Sequence, residues 1–252
     1  MMRYFLEVAY KGTNYSGFQV QENAVTVQSE IERALEIFYR SRFKLTGSSR
    51  TDSGVHALQN FFHFDCEEIL QPKGIYNINS ILPGDIVVKS IRQMGARENG
   101  ELPHARFDAT NREYKYFILQ GKDPFRKETT YYYPYKVEFD ALQQAAREVM
   151  EHSDFTSFSK RNTQVKTFSC SIIVSEWRID EDTLIYHVRS NRFLRGMVRA
   201  LVGTMLQVGR KKISLEQFRE IINARDCSKA DFSAPAQGLF LVSVGYPENF
   251  FA

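Results

Sequence analysis

An aspartate in a short turn is the residue of this chain best suited to chemistry. Asp52 lies in the segment 47–57, which reads Gly-Ser-Ser-Arg-Thr-Asp-Ser-Gly-Val-His-Ala, and the apolar run 58–64 after it predicts a strand. A free aspartate has a pKa of about 3.9, so it is ionised at neutral pH and can act as a nucleophile without an activating base. Arg50 is expected to hold the carboxylate charged and oriented through a charge-assisted contact. Because functional residues often lie on loops carried by rigid elements, the segment predicts a nucleophilic carboxylate.

The same spacing also fits an ordinary turn, since Asp and Gly are both favoured there. No second carboxylate is near Asp52 in sequence, so the paired acids of a glycoside hydrolase are not indicated. His56 is either a catalytic group or a residue that braces the loop. From spacing alone, the ordinary turn is the better interpretation.

The segment 189–212 is basic and contains no acidic residue. Its cations are Arg189, Arg192, Arg195, Arg199, Arg210, Lys211 and Lys212. A helix over about 192–207 would place Arg192, Arg195 and Arg199 on one side, beside an apolar stripe that includes Leu194 and Val198. A solvated basic face is the usual explanation of such a row. The absence of acidic residues favours contacts with the phosphates of a nucleic acid instead.

Aromatic and basic residues alternate in the segment 112–117, Arg-Glu-Tyr-Lys-Tyr-Phe. Aromatic faces beside cations suit an unstacked base and its phosphate. Alternating aromatics are also typical of a half-buried strand, and for Tyr116 we prefer that interpretation. The segment 104–107, His-Ala-Arg-Phe, adds Arg106 and a further aromatic ring.

Composition predicts a protein without a structural metal or disulfides. The chain has 252 residues, a formal net charge of +3, 43% hydrophobic residues and three widely spaced cysteines. The cysteines form no CxxC pair and the five histidines no HxxxH or HxH pair, so we expect reduced thiols and no metal. The N-terminus enters a strand directly, and no apolar run approaches membrane-spanning length. We therefore expect a cytoplasmic location and no membrane partner.

The order of elements predicts an α+β fold in two domains. Helices are expected from Thr26, which would cap the first, over 140–150 with an Asp140/Gln143 capping box, and over 214–224 with a Ser214/Gln217 box. Strands are expected at 4–10, 43–46, 59–65, 86–91, 114–119 and 239–246, with a hairpin over 168–189 that turns at 180–182. The segment 94–102 has no apolar period, so domains are predicted at 1–103 and 104–252.

These segments occur in an order that resembles the bacterial tRNA pseudouridine synthase A family. The specific match is Arg50-Thr51-Asp52-Ser53-Gly54-Val55-His56-Ala57, while the other matches would be weak alone. The weaker matches are Gly12, 15–19, Asn79, 82–86, 104–107, 112–116, 154–158, Asn191, 193–194, 197–199, 202–203 and 238–242. Together they extend over nearly the whole chain.

The resemblance implies an isomerase that converts uridine to pseudouridine at positions 38, 39 and 40 of the tRNA anticodon stem-loop, with no cofactor or metal. It implies two similar α+β halves with mostly antiparallel sheets that meet at a central catalytic cleft, and a homodimer. Asp52 takes the position of the nucleophile and Tyr114 that of the residue stacking on the target base. Arg199 would be the ion-pair partner of Asp52, and Arg50 would position the flipped nucleotide. Arg106 and His56 are further candidates for substrate contacts, and Arg192 and Arg195 for contacts with the RNA backbone.

Three positions depart from the family pattern, and two other functions remain open. Phe18 stands where the family more often has Trp, and Arg192 and Gly196 stand where a small residue and a His are expected. These departures concern RNA contacts rather than the reaction. The alternatives are a non-catalytic RNA-binding protein, which the intact Arg-Thr-Asp segment disfavours, and an isomerase with a different RNA target.

Overall fold

A computed structural model describes residues 1–67, 70, 74–97, 100–161 and 165–251. Within these residues there are nine strands and five α-helices. In chain order they are β1 (Met2–Tyr10), α1 (Val27–Tyr39), β2 (Thr46–Gly47), β3 (His56–Cys66), α2 (Ile75–Ile81), β4 (Ile86–Met94), β5 (Asn111–Leu119), β6 (Tyr131–Tyr132), α3 (Phe139–Met150), β7 (Ile172–Asp180), β8 (Thr183–Ser190), α4 (Met197–Gly209), α5 (Leu215–Asn223) and β9 (Leu239–Gly245). Antiparallel pairs dominate, with β6 parallel to β5, so the predicted α+β class is confirmed.

The chain divides into two compact units. The first contains Met1–Thr110 and Leu241–Ala252, and the second contains Asn111–Phe240. This division differs from the predicted domains 1–103 and 104–252, because 104–110 and the C-terminal residues belong to the first unit. The Thr110 amide donates to the Gly245 carbonyl at 2.8 Å, which joins these two segments. Residues 98 and 99 of the predicted boundary lie outside the described residues.

The first unit is built on a sheet with the order β4-β1-β3-β9, with β2 beside β3. In β1 the buried positions Tyr4, Leu6, Val8 and Tyr10 alternate along one face of the strand, and Phe5 is buried on the other face. The pairing of β1 with β3 shifts register between Val8 and Tyr10. Such irregularities redirect side chains, and this one lies where the chain approaches Asp52.

Helix α1 begins where the sequence predicts. The Thr26 side chain accepts from the Ser29 amide, and Ser29 reciprocates by accepting from the Thr26 amide at 3.0 Å. This capping box satisfies two amides that the first turn leaves without partners. The strand predicted at 43–46 is reduced to β2, although Phe43 and Leu45 are buried.

The second unit is built on the strands β5-β8-β7, with β6 beside β5. The predicted hairpin is present as β7 and β8, with Glu181 in the left-handed region at its turn (φ 52°). Helix α3 packs against β7 and α4. The predicted Asp140/Gln143 capping box is wrong, because Glu138 precedes the helix and the Gln143 side chain instead accepts from the Trp177 amide at 2.8 Å. The Ser214/Gln217 box of α5 is confirmed.

Helix α4 starts five residues later than predicted, and this changes the arrangement of the arginines. Gly196 precedes the helix with a φ of 75°, a conformation that favours glycine. Arg192 and Arg195 therefore lie before the helix, and only Arg199 is in its first turn. The predicted helical row of three arginines is wrong.

Candidate active site

Asp52 begins a tight turn that leads directly into β3. Its carbonyl accepts from the Val55 amide at 3.2 Å, and Gly54, the third residue of the turn, has a φ of 77°. A β-turn with a positive φ at this position prefers glycine. The turn explains why Gly follows Asp52 by two residues, and it leaves the Asp52 side chain half-buried.

One side of the turn is anchored to β1 and β3 by buried polar groups. The Thr51 hydroxyl lies 2.8 Å from the Tyr10 hydroxyl, which accepts from the Asn60 amide nitrogen at 3.2 Å. Asn60 also contacts Ser48 and the carbonyl of Ser49. Buried polar groups are costly unless satisfied, so this network fixes the residues that precede Asp52.

The other side of the turn is held by the segment 12–18. The Phe18 amide donates to the Thr51 carbonyl at 3.1 Å, and the Ser53 hydroxyl donates to the Tyr15 carbonyl at 3.1 Å. Gly12 approaches so closely that an added Cβ would lie 2.0 Å from the Val55 carbonyl oxygen. The two segments therefore pack backbone against backbone around Asp52.

The His56 side chain braces this packing. It is 1% exposed, and its Nδ1 accepts from the Gly12 amide at 3.0 Å. An Nδ1 that accepts is unprotonated, so the ring is neutral with its proton on Nε2. Of the two roles open for His56 on sequence, these contacts support bracing.

Phe18, one of the departures from the family pattern, is a core residue of the first unit. Its ring stacks on Phe62 with centroids 4.6 Å apart, and it lies over Gly47, where an added Cβ would be 2.1 Å from the ring. The Phe18 ring therefore packs inside the first unit, beside β2.

The expected contact between Arg50 and Asp52 is wrong. Arg50 is exposed, and the Asp52 carboxylate makes no hydrogen bond or ion pair with a described residue of the first unit. The physical reason is the inward anchoring of Thr51, which leaves the neighbouring Arg50 in solvent. The orientation of Asp52 within this unit therefore depends on its backbone.

Arg106 lies on an exposed loop of the first unit. Its guanidinium is 5.7 Å from the centroid of the Phe107 ring, which is 75% exposed. His104 Nδ1 accepts from the amides of both residues, at 3.1 and 3.3 Å, and fixes the loop. Burial lowers the pKa of His104, which keeps this acceptor unprotonated.

Tyr114 and Tyr116 lie on β5 of the second unit. Tyr114 is buried, and its ring meets Phe193 edge-on with centroids 5.0 Å apart. Tyr116 is fully buried and donates to the Pro235 carbonyl at 2.7 Å, so its predicted core role is confirmed.

The basic residues around the start of α4 divide into two groups. Arg199 donates through Nε to the Ala234 carbonyl at 2.7 Å. Arg192 is half-buried and Arg195 exposed, and in the part of the chain that is described neither forms an ion pair. Uncompensated arginines are suited to phosphate contacts. The predicted ion pair between Arg199 and Asp52 joins residues of different units and stays a prediction.

The sequence patterns did not predict a role for Tyr10 or Asn60. The available signal was the position of Asn60 inside the apolar run 58–64, since an amide in a buried strand needs specific partners. Tyr10 carried no such signal, because a tyrosine at the end of a strand is common.

Among the described residues, no group of three or more His, Cys, Asp or Glu side chains is arranged to hold a metal ion. None of the helices within those residues has the length and apolarity needed to cross a membrane.

Comparisons with known proteins agree on one family. A family profile described as tRNA pseudouridine synthase matches residues 7–108 and 145–247. A tRNA pseudouridine synthase A of Parabacteroides distasonis is 44% identical over 253 residues, covering 100% of this chain and 98% of that protein. One of Bacteroides thetaiotaomicron is 44% identical, covering 100% and 93%, and one of Staphylococcus aureus is 33% identical, covering 98% and 92%.

Proposed function

We propose that this chain, which belongs to the tRNA pseudouridine synthase A family, modifies positions 38, 39 and 40 of the tRNA anticodon stem-loop. In this proposal Asp52 is the nucleophile, and the reaction uses no cofactor. Membership of the family makes the chain an isomerase of uridines in tRNA. The observed α+β fold agrees with it.

The observation that carries the proposal is the anchored turn of Asp52. A half-buried carboxylate is held by its neighbours on both sides, while its own oxygens keep their hydrogen-bonding capacity within the first unit. This is what a nucleophile requires, because its position must be fixed while its reactive atoms stay accessible.

The reaction rearranges bonds within one nucleotide. The bond between uracil N1 and C1′ breaks, the uracil rotates, C5 joins C1′, and the C5 proton leaves while N1 gains a proton. Nothing is oxidised, reduced or hydrolysed, so the chemistry needs no cofactor. Asp52 would act by attack on C1′, by attack on C6 of the base, or by assisting a glycal intermediate.

The other site residues would bind and orient the nucleotide. The target must leave its stack to be reached, and Tyr114 would stack on the extruded base. Arg199 would pair with Asp52, Arg50 and Arg106 would contact the flipped nucleotide, and His56 would keep the turn in place. The exposure of Arg50 and Arg106 leaves both side chains accessible to RNA.

Arg192 and Arg195 would contact phosphates of the RNA backbone. Their side chains lack internal ion-pair partners among the described residues. When such arginines neutralise phosphates, the counterions condensed on the nucleic acid are released, and this release favours binding. A homodimer in the cytoplasm is part of the same proposal, on the basis of the family alone.

The experiment is a pseudouridine map of total RNA from cells with and without this protein. We expect pseudouridine at tRNA positions 38, 39 and 40 to disappear without it and to return when the gene is supplied. Loss of pseudouridine from a different RNA would assign a different target. No change anywhere, together with tRNA binding by the purified protein, would show a non-catalytic RNA-binding protein.

A further inference from the structure

Asn60 uses all of its hydrogen-bonding capacity to hold the segment before Asp52. Its Oδ1 accepts from the Ser48 hydroxyl at 2.7 Å and from the Phe61 amide at 3.0 Å. Its Nδ2 donates to the Tyr10 hydroxyl at 3.2 Å and to the Ser49 carbonyl at 3.1 Å. A side-chain amide has two acceptor sites and two donor hydrogens, so every one is occupied. The residue is 0% exposed, and none of these bonds competes with water.

The Tyr10 hydroxyl extends this network to the residue next to Asp52. It accepts from Asn60 and shares a hydrogen bond with the Thr51 hydroxyl, 2.8 Å away, in which either oxygen can be the donor. Burial raises the pKa of Tyr10 to about 12, so the hydroxyl keeps its proton at any pH used for an assay. Asn60, Tyr10 and Thr51 therefore form a continuous chain of hydrogen bonds, which we call the relay.

The relay matters because the Asp52 carboxylate has no hydrogen-bond or ion-pair partner among the described residues of the first unit. On the opposite side, the Phe18 amide donates to the Thr51 carbonyl, and the Ser53 hydroxyl donates to the Tyr15 carbonyl. The two sets of anchors grip the residues on either side of Asp52. The direction of its carboxylate is thus set by where Thr51 and Ser53 are held.

We propose that Tyr10 and Asn60 are positioning residues for the isomerisation, acting through Thr51 on the backbone that carries Asp52. This inference rests on the proposed function. It assigns a catalytic consequence to two core residues that do not touch the nucleotide. Displacement of a reacting group by about 1 Å can cost about a hundredfold in rate.

The test is the single-turnover rate of pseudouridine formation in Tyr10→Phe, with Tyr186→Phe as the matched control. Tyr186 is also fully buried, and its hydroxyl lies 2.8 Å from the Ser175 hydroxyl in the second unit. Both variants lose one buried hydroxyl that has a hydroxyl partner, so both should lower the Tm. We expect only Tyr10→Phe to slow the reaction, by about ten- to a hundredfold, with an unchanged Kd for tRNA.

A second set of variants tests the bond itself. Thr51→Val removes the partner of Tyr10, whereas Thr51→Ser keeps the hydroxyl and should keep most of the rate. Since Tyr10→Phe and Thr51→Val break the same hydrogen bond, the double variant should be little slower than the slower single variant. If the rate loss of the double variant instead equalled the product of the two single-variant losses, the relay would be contradicted.

The outcomes separate the inference from the proposed function. A wild-type protein that forms no pseudouridine, or an Asp52→Asn variant that keeps full activity, would overturn the proposed function and this inference with it. An active wild type and an inactive Asp52→Asn, combined with a normal rate in Tyr10→Phe, would overturn the relay alone. Equal slowing by Tyr10→Phe and Tyr186→Phe would also overturn it, because the loss would then reflect stability.

Discussion

The turn of Asp52 and the basic segment 191–196 are both candidate functional regions, yet different contacts hold them in place. The turn is held by side-chain hydrogen bonds from Tyr10, His56 and other buried groups. The Asn191 side chain accepts from the Ser171 amide at 2.8 Å. Around its arginines, however, the basic segment is held through its backbone, with the Lys160 amide donating to the Arg195 carbonyl at 3.0 Å and the Met197 amide to the Leu194 carbonyl at 3.1 Å. The difference corresponds to two tasks, since a nucleophile needs a fixed position and phosphate contacts need available charges.

The largest effect of a conservative change is expected at Asp52 itself. Asp52→Glu keeps the charge and moves the carboxylate by one methylene, so it tests position without removing the chemical group. Because the turn is anchored on both sides, the backbone cannot compensate, and we expect a loss of about a hundredfold or more in kcat. The measurement is single-turnover pseudouridine formation beside tRNA binding. A near-normal rate would show that the turn adjusts.

A smaller effect is expected from Gly54→Ala. A φ of 77° strains any residue with a Cβ by about 1–2 kcal/mol, and relief of that strain would shift the turn. Gly121→Ala is the control, because an added Cβ there meets no atom within 4 Å. We expect a lower Tm and a slower reaction only for Gly54→Ala. Equal behaviour of both variants would mean that the turn conformation does not matter.

In the basic segment we expect an effect on binding rather than on rate. Changing Arg192 and Arg195 to Gln removes two phosphate contacts, which should reduce the slope of log K against log salt by about one to two. The rate at saturating tRNA should remain near normal. An unchanged slope would remove the phosphate role, and a lost rate at saturation would move these arginines into the chemistry.

The smallest effect on activity is expected where neither region is touched. Glu148 of α3 accepts from Arg219 in a bidentate pair at 2.8 Å, which lowers the pKa of this carboxyl from 4.5 to about 2. A carboxyl whose pKa is lower in the folded state than in the unfolded state stabilises the fold at pH values above about 4.5. This contribution to the free energy of unfolding disappears as the pH falls towards 2.

The corresponding variant is Glu148→Gln. It should be less stable than the wild type at neutral pH, and the difference between the two should shrink as pH falls from 4.5 to 2. Acid unfolding followed by circular dichroism measures this, and pseudouridine formation at neutral pH should be unchanged. A stability difference that is constant with pH would rule out the ion pair as its source.

Local patterns in the sequence were enough to predict much of the fold. The Thr26 cap, the hairpin around Glu181 and the Ser214/Gln217 box are all set by neighbouring residues, so periodicity and capping rules identify them. Tyr116 was correctly placed in the core by alternation along its strand. The family resemblance, carried mainly by 50–57, gave the function class that the comparisons then showed.

Features that depend on distant contacts were not predictable in this way. The start of α4 is set by the left-handed Gly196, whereas the apolar period continues before it and extended the predicted helix to Arg192. The assignment of 241–252 to the first unit follows from β9, whose position depends on strands far away in sequence. The relay links Tyr10, Thr51 and Asn60 across up to 50 positions, and no local signal connects them.

The most direct test of the central claim is Asp52→Asn assayed on tRNA from a strain that lacks the enzyme. The amide keeps the size and the turn contacts of the aspartate but cannot act as the nucleophilic carboxylate. We expect tRNA binding to be retained and pseudouridine formation to fall by at least about a thousandfold, as when other enzymes lose their nucleophile. Pseudouridine formed at the wild-type rate by this variant would contradict the account.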